Sequence, residues 1–170
     1  MKQAIRYIDG VEAEDIQGLA ETLVKVNRSA AVVKGGRRFS FSALSISGNK
    51  AGIVGYGFGK SRQVPGAIEK AARDGRKHLM RVPLTQSGTL PHEVEGFWCG
   101  SKVRLLPASP GTGIIACPSV RAVAEMAGVK DILTKSYGST NPVNLVKATL
   151  HALSQLRTPE QVAELRGVKI

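Results

Sequence analysis

The chain has 170 residues, 42% of them hydrophobic, and a formal net charge of +11 from 24 lysines and arginines against 13 acids. That is enough apolar material to bury a core in one or two small domains, so disorder is not expected, and no apolar run approaches the roughly 20 residues needed to cross a bilayer. Cys99 and Cys117 lack C-x-x-C spacing and a nearby histidine, which argues against a metal site or a structural disulfide and reads both as small buried hydrophobes or incidental thiols. The N-terminus has no apolar signal-peptide centre, so the chain reads as cytoplasmic.

Charge is unevenly spread. Residues 1–20 hold two cations and four acids, residues 21–82 thirteen and three, and residues 83–170 nine and six. A basic field concentrated in one third of a chain suits a polyanion. Nucleic acid is preferred to an acidic membrane because no lipid-facing amphipathic helix accompanies the charge.

In chain order, residues 1–18 read as a variable extension. Residues 22–34 (TLVKVNRSAAVVK) are rich in β-branched side chains and predict a strand. Gly35-Gly36 then predicts a two-residue hairpin turn, and FSFSALSIS a second strand. The alternation in that strand slips near Ala43, which predicts a bulge or a strand with two differently buried halves. SGNKAG is the next turn.

IVGYGFGKS, residues 53–61, resembles a phosphate cradle but fails both motifs: the P-loop would need glycine at Val54, and the dinucleotide pattern would need one at Lys60. As a third strand, it places Gly55, Gly57 and Gly59 on one bare face, which another backbone or a ligand must approach closely. From Val64-Pro65 the period becomes helical, with Val64, Ile68, Ala71, Ala72, Gly75 and Leu79 on one stripe and Lys70, Arg73, Lys77 and Arg81 opposite. Residues 19–82 thus form one domain of three strands and a helix.

Val82-Pro83 and TQSGTLP mark a boundary to an α/β domain over 83–170. It contains alternating HEVEGFW and SKVRLLPA, the turn SPGTGIIACPS, and a helix over 118–127 closed by Gly128. A strand in VKDILTKS follows, then a helix from Asn141-Pro142 to about Leu156, and a final helix opened by a capping box at Thr158–Gln161.

The candidate RNA-binding residues cluster in the first domain. Lys25 and Arg28 lie on the first strand, with Lys34, Gly35, Gly36, Arg37 and Arg38 at the hairpin and Lys50 in the next turn. Gly55, Gly57 and Gly59 would permit close approach, and Lys60, Ser61 and Arg62 precede a helix whose free amides can take phosphate. Lys70, Arg73 and Lys77 complete the set.

Catalysis has no evident constellation. His78, His92 and His151 are scattered, with a surface role the natural reading of His151. Glu93 and Glu95 share a strand face with no basic or metal-binding companion in sequence. PASPGTGIIACPS superficially resembles the phosphate loop of galactokinase-type and homoserine-kinase-type enzymes, but Ile114 and Ile115 stand where that loop has serines. No cofactor, metal or small-molecule substrate is implied. A free duplex-RNA chaperone and a metabolite kinase remain as alternatives at this point.

VNR at 26–28, KGGRRFSFSAL at 34–44, VGYGFGKSRQVPGAIEKA at 54–71, PASPGTGIIA at 107–116 and YGSTNPVNLVKAT at 137–149 together resemble the bacterial small-subunit ribosomal protein five family, over about Leu19 to Gly167. The resemblance implies an α+β protein of two domains, the first similar to the double-stranded-RNA-binding fold and the second of the βαβ type that those kinases share. It also implies a scaffolding role in the cytoplasmic ribosome: binding small-subunit rRNA, contacting ribosomal proteins four and eight, lying near mRNA at its entry side and influencing decoding accuracy. The hairpin at Val33–Arg38 would reach toward the rRNA region where spectinomycin acts. Lys102, Arg104, Gly111 and Arg121 are the expected protein-contact residues. Trp98-Cys99 and Cys117-Pro118 depart from the family pattern, which has smaller residues there.

Overall fold

A computed structural model describes residues 18–167, so the predicted N-terminal extension falls almost wholly outside the described residues. The chain runs β1 (Ala20–Val33), β2 (Gly36–Gly48), β3 (Ile53–Ser61), α1 (Val64–Gly75), β4 (Leu79–Arg81), β5 (Val94–Trp98), β6 (Ser101–Pro107), β7 (Ile114–Ile115), α2 (Pro118–Ala127), β8 (Ile132–Gly138), α3 (Pro142–Leu153) and α4 (Pro159–Arg166). The first four strands form an antiparallel sheet in the order β1-β2-β3-β4, and the rest a sheet in the order β5-β6-β8-β7. In the second sheet β7 and β8 are parallel and α2 is their crossover, the βαβ unit expected.

The predicted order of three strands and a helix is present, with three corrections and one refinement. The hairpin turn is Lys34-Gly35, and Gly36 already pairs with Val33 at φ +141°, a backbone setting only glycine adopts readily. The bulge lies on β1 between Leu23 and Lys25, opposite the place on β2 where the alternation slips, and β2 itself has the two differently buried halves of the other reading, exposed from Gly36 to Phe39 and buried from Ala43 on. Helix α1 stops at Gly75, and Leu79 and Arg81 belong to β4, which pairs with β3. Helix α3 stops at Leu153 instead of about Leu156, whereas α2 and the α4 capping box fall as read.

The glycines of β3 settle how α1 sits. Gly55, Gly57 and Gly59 are all buried, and a methyl on Gly57 would overlap the Ala71 carbonyl oxygen, while one on Gly59 would overlap that of Ala67. The helix answers with Ala67, Ala71 and Gly75, its buried stripe. Four helical residues rise about 6 Å and two strand residues span about 6.6 Å, so small residues on the two elements stay in step and backbone rests on backbone.

The other face of this sheet carries Leu44, Ile46 and Val54 into a core that is continuous with Val103, Leu105, Val123, Val146 and Leu150 of the second sheet and its helices. Hydrogen bonds reinforce that contact: the turn after β2 donates from Lys50 N to the Met126 carbonyl at 3.0 Å and from Gly52 N to that of Ala127 at 2.9 Å. These are the last carbonyls of α2, which its own helix leaves without partners. Lys147 of α3 adds a third tie, its Nζ lying 5.5 Å from the Tyr56 ring and 5.0 Å from that of Trp98.

Candidate nucleic-acid interface

Strand β3 ends at Ser61, opposite Phe41, while β1 and β2 continue as a two-stranded ribbon through five more pairs, from Ser29↔Ser40 to the last at Val33↔Gly36. Every β1 residue from Asn27 onward is exposed, with Val32 at 80%. The ribbon therefore projects about 15–20 Å beyond the packed sheet. Arg28 stiffens it from one side, its guanidinium 4.8 Å from the Phe39 ring.

Pairing fixes where the cations point. Arg28 and Arg37 share the α1 side of the ribbon with Phe39 and Phe41, while Lys25, Arg38 and Lys60 share the opposite side. The basic residues thus wrap a narrow finger instead of covering one flat surface. Two clefts lie at its base, one of about 500 Å³ lined by Ser29, Arg38, Phe39 and Arg62, and one of about 590 Å³ lined by Lys60, Ser61, Arg62, Gln63 and Lys70. Ser40 and Arg62 line both, so the clefts join.

The second cleft meets the start of α1. Gln63 is the N-cap and makes no side-chain cap, so the Val64 and Gly66 amides are the first-turn donors beside Lys60, Arg62 and Lys70, Pro65 having none. Lys70 Nζ donates to the Lys60 carbonyl at 3.3 Å, which holds its charge at the rim.

The acids of this domain are engaged elsewhere. Glu21 pairs with Arg76 at 3.1 Å, Glu69 with Arg73 at 3.0 Å, and Asp74 accepts the Phe58 amide at 3.0 Å. Among the described residues Lys25, Arg28, Lys34, Arg37, Arg38, Lys60, Arg62 and Lys70 have no carboxylate partner.

Several expected residues fall outside this cluster. Gly55, Gly57 and Gly59 are sealed beneath α1, so they seat a helix and offer nothing to RNA. Lys50 sits at φ 57° in the turn bonded to α2, at the end of the sheet away from the hairpin tip, and Lys77 lies past the end of α1 near the same end. Arg73 spends its charge on Glu69.

In the second domain, Glu93 and Glu95 acquire the partners that sequence order hid: Arg104 to Glu93 at 2.8 Å and Lys102 to Glu95 at 2.7 Å. The Glu93 hydrogen bond raises the Arg104 pKa further above its already high ordinary value. Gly111 is exposed at φ +89° in the loop before β7, and Arg121 is exposed on α2. In that kinase-like loop the Gly113 amide is taken by the buried Asp131 carboxylate at 2.8 Å, an anion where a phosphate cradle needs free donors. His151 accepts the Phe97 amide at 3.3 Å and so covers the free edge of β5, a task its position in sequence did not announce. Cys99 is a free, exposed thiol in the β5–β6 turn at φ +50°, which leaves the incidental thiol of the two readings, while Cys117 is free and half-buried against the core. The described residues contain no group of His, Cys, Asp and Glu able to hold a metal ion, and no helix among them is long and apolar enough to cross a membrane.

Comparison with known proteins agrees with this geometry. The family model described as "Ribosomal protein S5, N-terminal domain" matches residues 19–83, and that described as "Ribosomal protein S5, C-terminal domain" matches 96–166. A Rhodopirellula baltica protein named small ribosomal subunit protein uS5 is 54% identical over 94% of this chain and 87% of its own length. Proteins of the same name from Tolumonas auensis and Shewanella frigidimarina are 53% and 51% identical, over 89% and 94% of this chain and 91% and 95% of theirs. With both halves matched in order and relatives this similar along nearly the whole length, the chain belongs to the ribosomal protein S5 family.

Proposed function

We propose that the first domain anchors this chain in the small ribosomal subunit by neutralising rRNA phosphates along its projecting ribbon and the two joined clefts. Membership of the S5 family makes the chain a structural, rRNA-binding protein of the cytoplasmic ribosome and not an enzyme. The carrying observation is the set of eight cations without a carboxylate partner, from Lys25 to Lys70, on an exposed ribbon and at an uncapped helix start. Phosphate contacts of this kind position a protein without reading sequence, and a ribbon one strand pair wide can enter a groove or a junction between RNA helices.

The second domain turns to neighbours. Gly111 and Arg121, exposed at the loop and on α2, and Lys102 and Arg104 on the second sheet are the residues this reading offers for contacts with ribosomal proteins four and eight. Placed at the mRNA entry side, the first of these contacts is the route by which the chain influences decoding accuracy. The domain limits 19–82 and 83–170 belong to the same proposal, the two halves meeting across one core.

Sedimentation at high magnesium tests the central reading. The chain is expected to travel with small subunits, and a pool found only as free protein would favour a soluble duplex-RNA chaperone instead.

A further inference from the structure

We propose that the crevice between α4 and the chain entering β5 is a binding site for a free nucleoside monophosphate, with the base against His92 and the prolines and the phosphate on Arg157 and Arg166. The site shares no residue with the rRNA-binding ribbon and its clefts.

Helix α4 buries none of its residues. Yet Pro159, Val162, Ala163 and Arg166 recur at i, i+3, i+4 and i+7, the spacing of a helix face that packs on something. What this face meets is a crevice of about 410 Å³, lined on its other side by Pro91, His92 and Arg157. That volume lies in the range of small-ligand sites. Pro91 and Pro159 also line the neighbouring cleft beside Thr158, so this proline pair is the wall between the two.

The polar groups of the lining are already posed. His92 Nδ1 donates to the Glu93 carbonyl at 2.7 Å, and its Nε2 accepts the Arg157 amide at 3.2 Å. With both nitrogens spent, the ring offers the crevice only its carbon surface, which suits stacking on a planar base. The same bond from Arg157 N holds that residue at the crevice. Arg157 and Arg166 make no ion pair among the described residues, so two uncompensated guanidinium groups stand beside an apolar lining. Together they match the dianion of a phosphate monoester, whose oxygens a guanidinium binds in pairs.

Charge selects a single nucleotide over a strand of RNA or an acidic peptide. Glu160 and Glu164 lie on α4 beside the lining stripe, where the flanking phosphates of a polynucleotide would meet them. A lone carboxylate from a peptide would leave one guanidinium unmatched. A mononucleotide carries its whole charge at the two arginines.

Calorimetric titration of the full chain with AMP tests the site, with amide chemical shifts locating the ligand. Saturable binding with Kd below about 1 mM is expected, moving the signals of Arg157 and Val162. Adenosine and inorganic phosphate should each bind about tenfold more weakly, because each lacks half of the contacts. Arg157→Gln with Arg166→Gln, both at exposed positions, should weaken AMP about tenfold with α4 amide protection unchanged. Arg38→Glu with Arg62→Glu on the ribbon should leave AMP affinity as it is. No saturation by about 10 mM, shifts confined to the ribbon, or full affinity in the Arg157 and Arg166 variant would overturn the site. Inorganic phosphate binding as tightly as AMP would overturn the role of the base. A short oligonucleotide or an acidic tripeptide binding at the crevice more tightly than AMP would overturn the free nucleotide as its ligand.

Discussion

The ribbon of the first domain and the outer sheet face of the second are both exposed β surfaces carrying lysine and arginine, yet they handle charge in opposite ways. On the ribbon, its base and its clefts eight cations lack a carboxylate partner among the described residues, while on the outer sheet Lys102 and Arg104 are held by Glu95 and Glu93. A count of basic residues would not say which of these charges are free. What separates them is whether the cation's field reaches solvent, since a paired surface ion contributes little beyond its own contact and an unpaired cluster attracts polyanions over about a Debye length.

The harshest way to break this contrast is to remove the platform under the ribbon. Gly57→Val drives two methyls into the Ala71 carbonyl and the Gly75 amide, so α1 must lift from β3. A loss of about 3 kcal/mol and a fall in Tm of about 10 °C are expected, read by thermal denaturation. Unchanged stability would mean that the helix is not seated on the glycines.

Next in size is the contrast itself. Arg38→Glu with Arg62→Glu should weaken binding to an rRNA fragment at least tenfold, with the dependence of log affinity on log salt made shallower by about 2. The fold should survive, because Arg38 and Arg62 are exposed. Lys102→Ala on the outer sheet is the matched control and should leave that affinity within about twofold. Equal losses from the two sites would erase the distinction between free and paired cations.

A smaller effect sharpens the account of how the domains are held together. Lys147→Met keeps the length of the side chain but removes the charge between Tyr56 and Trp98. A cost of about 1 kcal/mol, or about 2–4 °C in Tm, is expected in calorimetry. The slightest is Thr158→Ala, which removes one half of the α4 capping box and should speed amide exchange in that helix alone, since none of its residues is buried.

Local elements were the most legible part of the sequence. Helix α2 and the capping box of α4 follow from Pro118, Gly128 and Thr158, residues that act on the backbone next to them. The end of α1 was not legible, because Leu79 continues the helical stripe in number while pairing with Gly55 draws it into β4. The candidate site was half legible. Lys34, Arg37 and Arg38 stand out at the hairpin, but nothing in sequence order says that Arg62 and Ser40 join two clefts. The glycines of β3 announced a close approach without saying to what. Similarly, Glu93 and Glu95 have no companion in sequence because their cations arrive across a strand pair, 7 to 11 residues away.

By itself, then, the sequence determined the two-domain α+β composition, the concentration of positive charge between residues 21 and 82, and the family to which the chain belongs, because each depends on residue types and their local spacing. Only the tertiary structure decided that Gly55, Gly57 and Gly59 serve α1, that Lys50 and Lys77 lie far from the ribbon, and which cations keep their charge unshared. Those outcomes turn on distances between residues remote in the chain, and electrostatic and steric energies depend on separation in space, which sequence spacing does not fix.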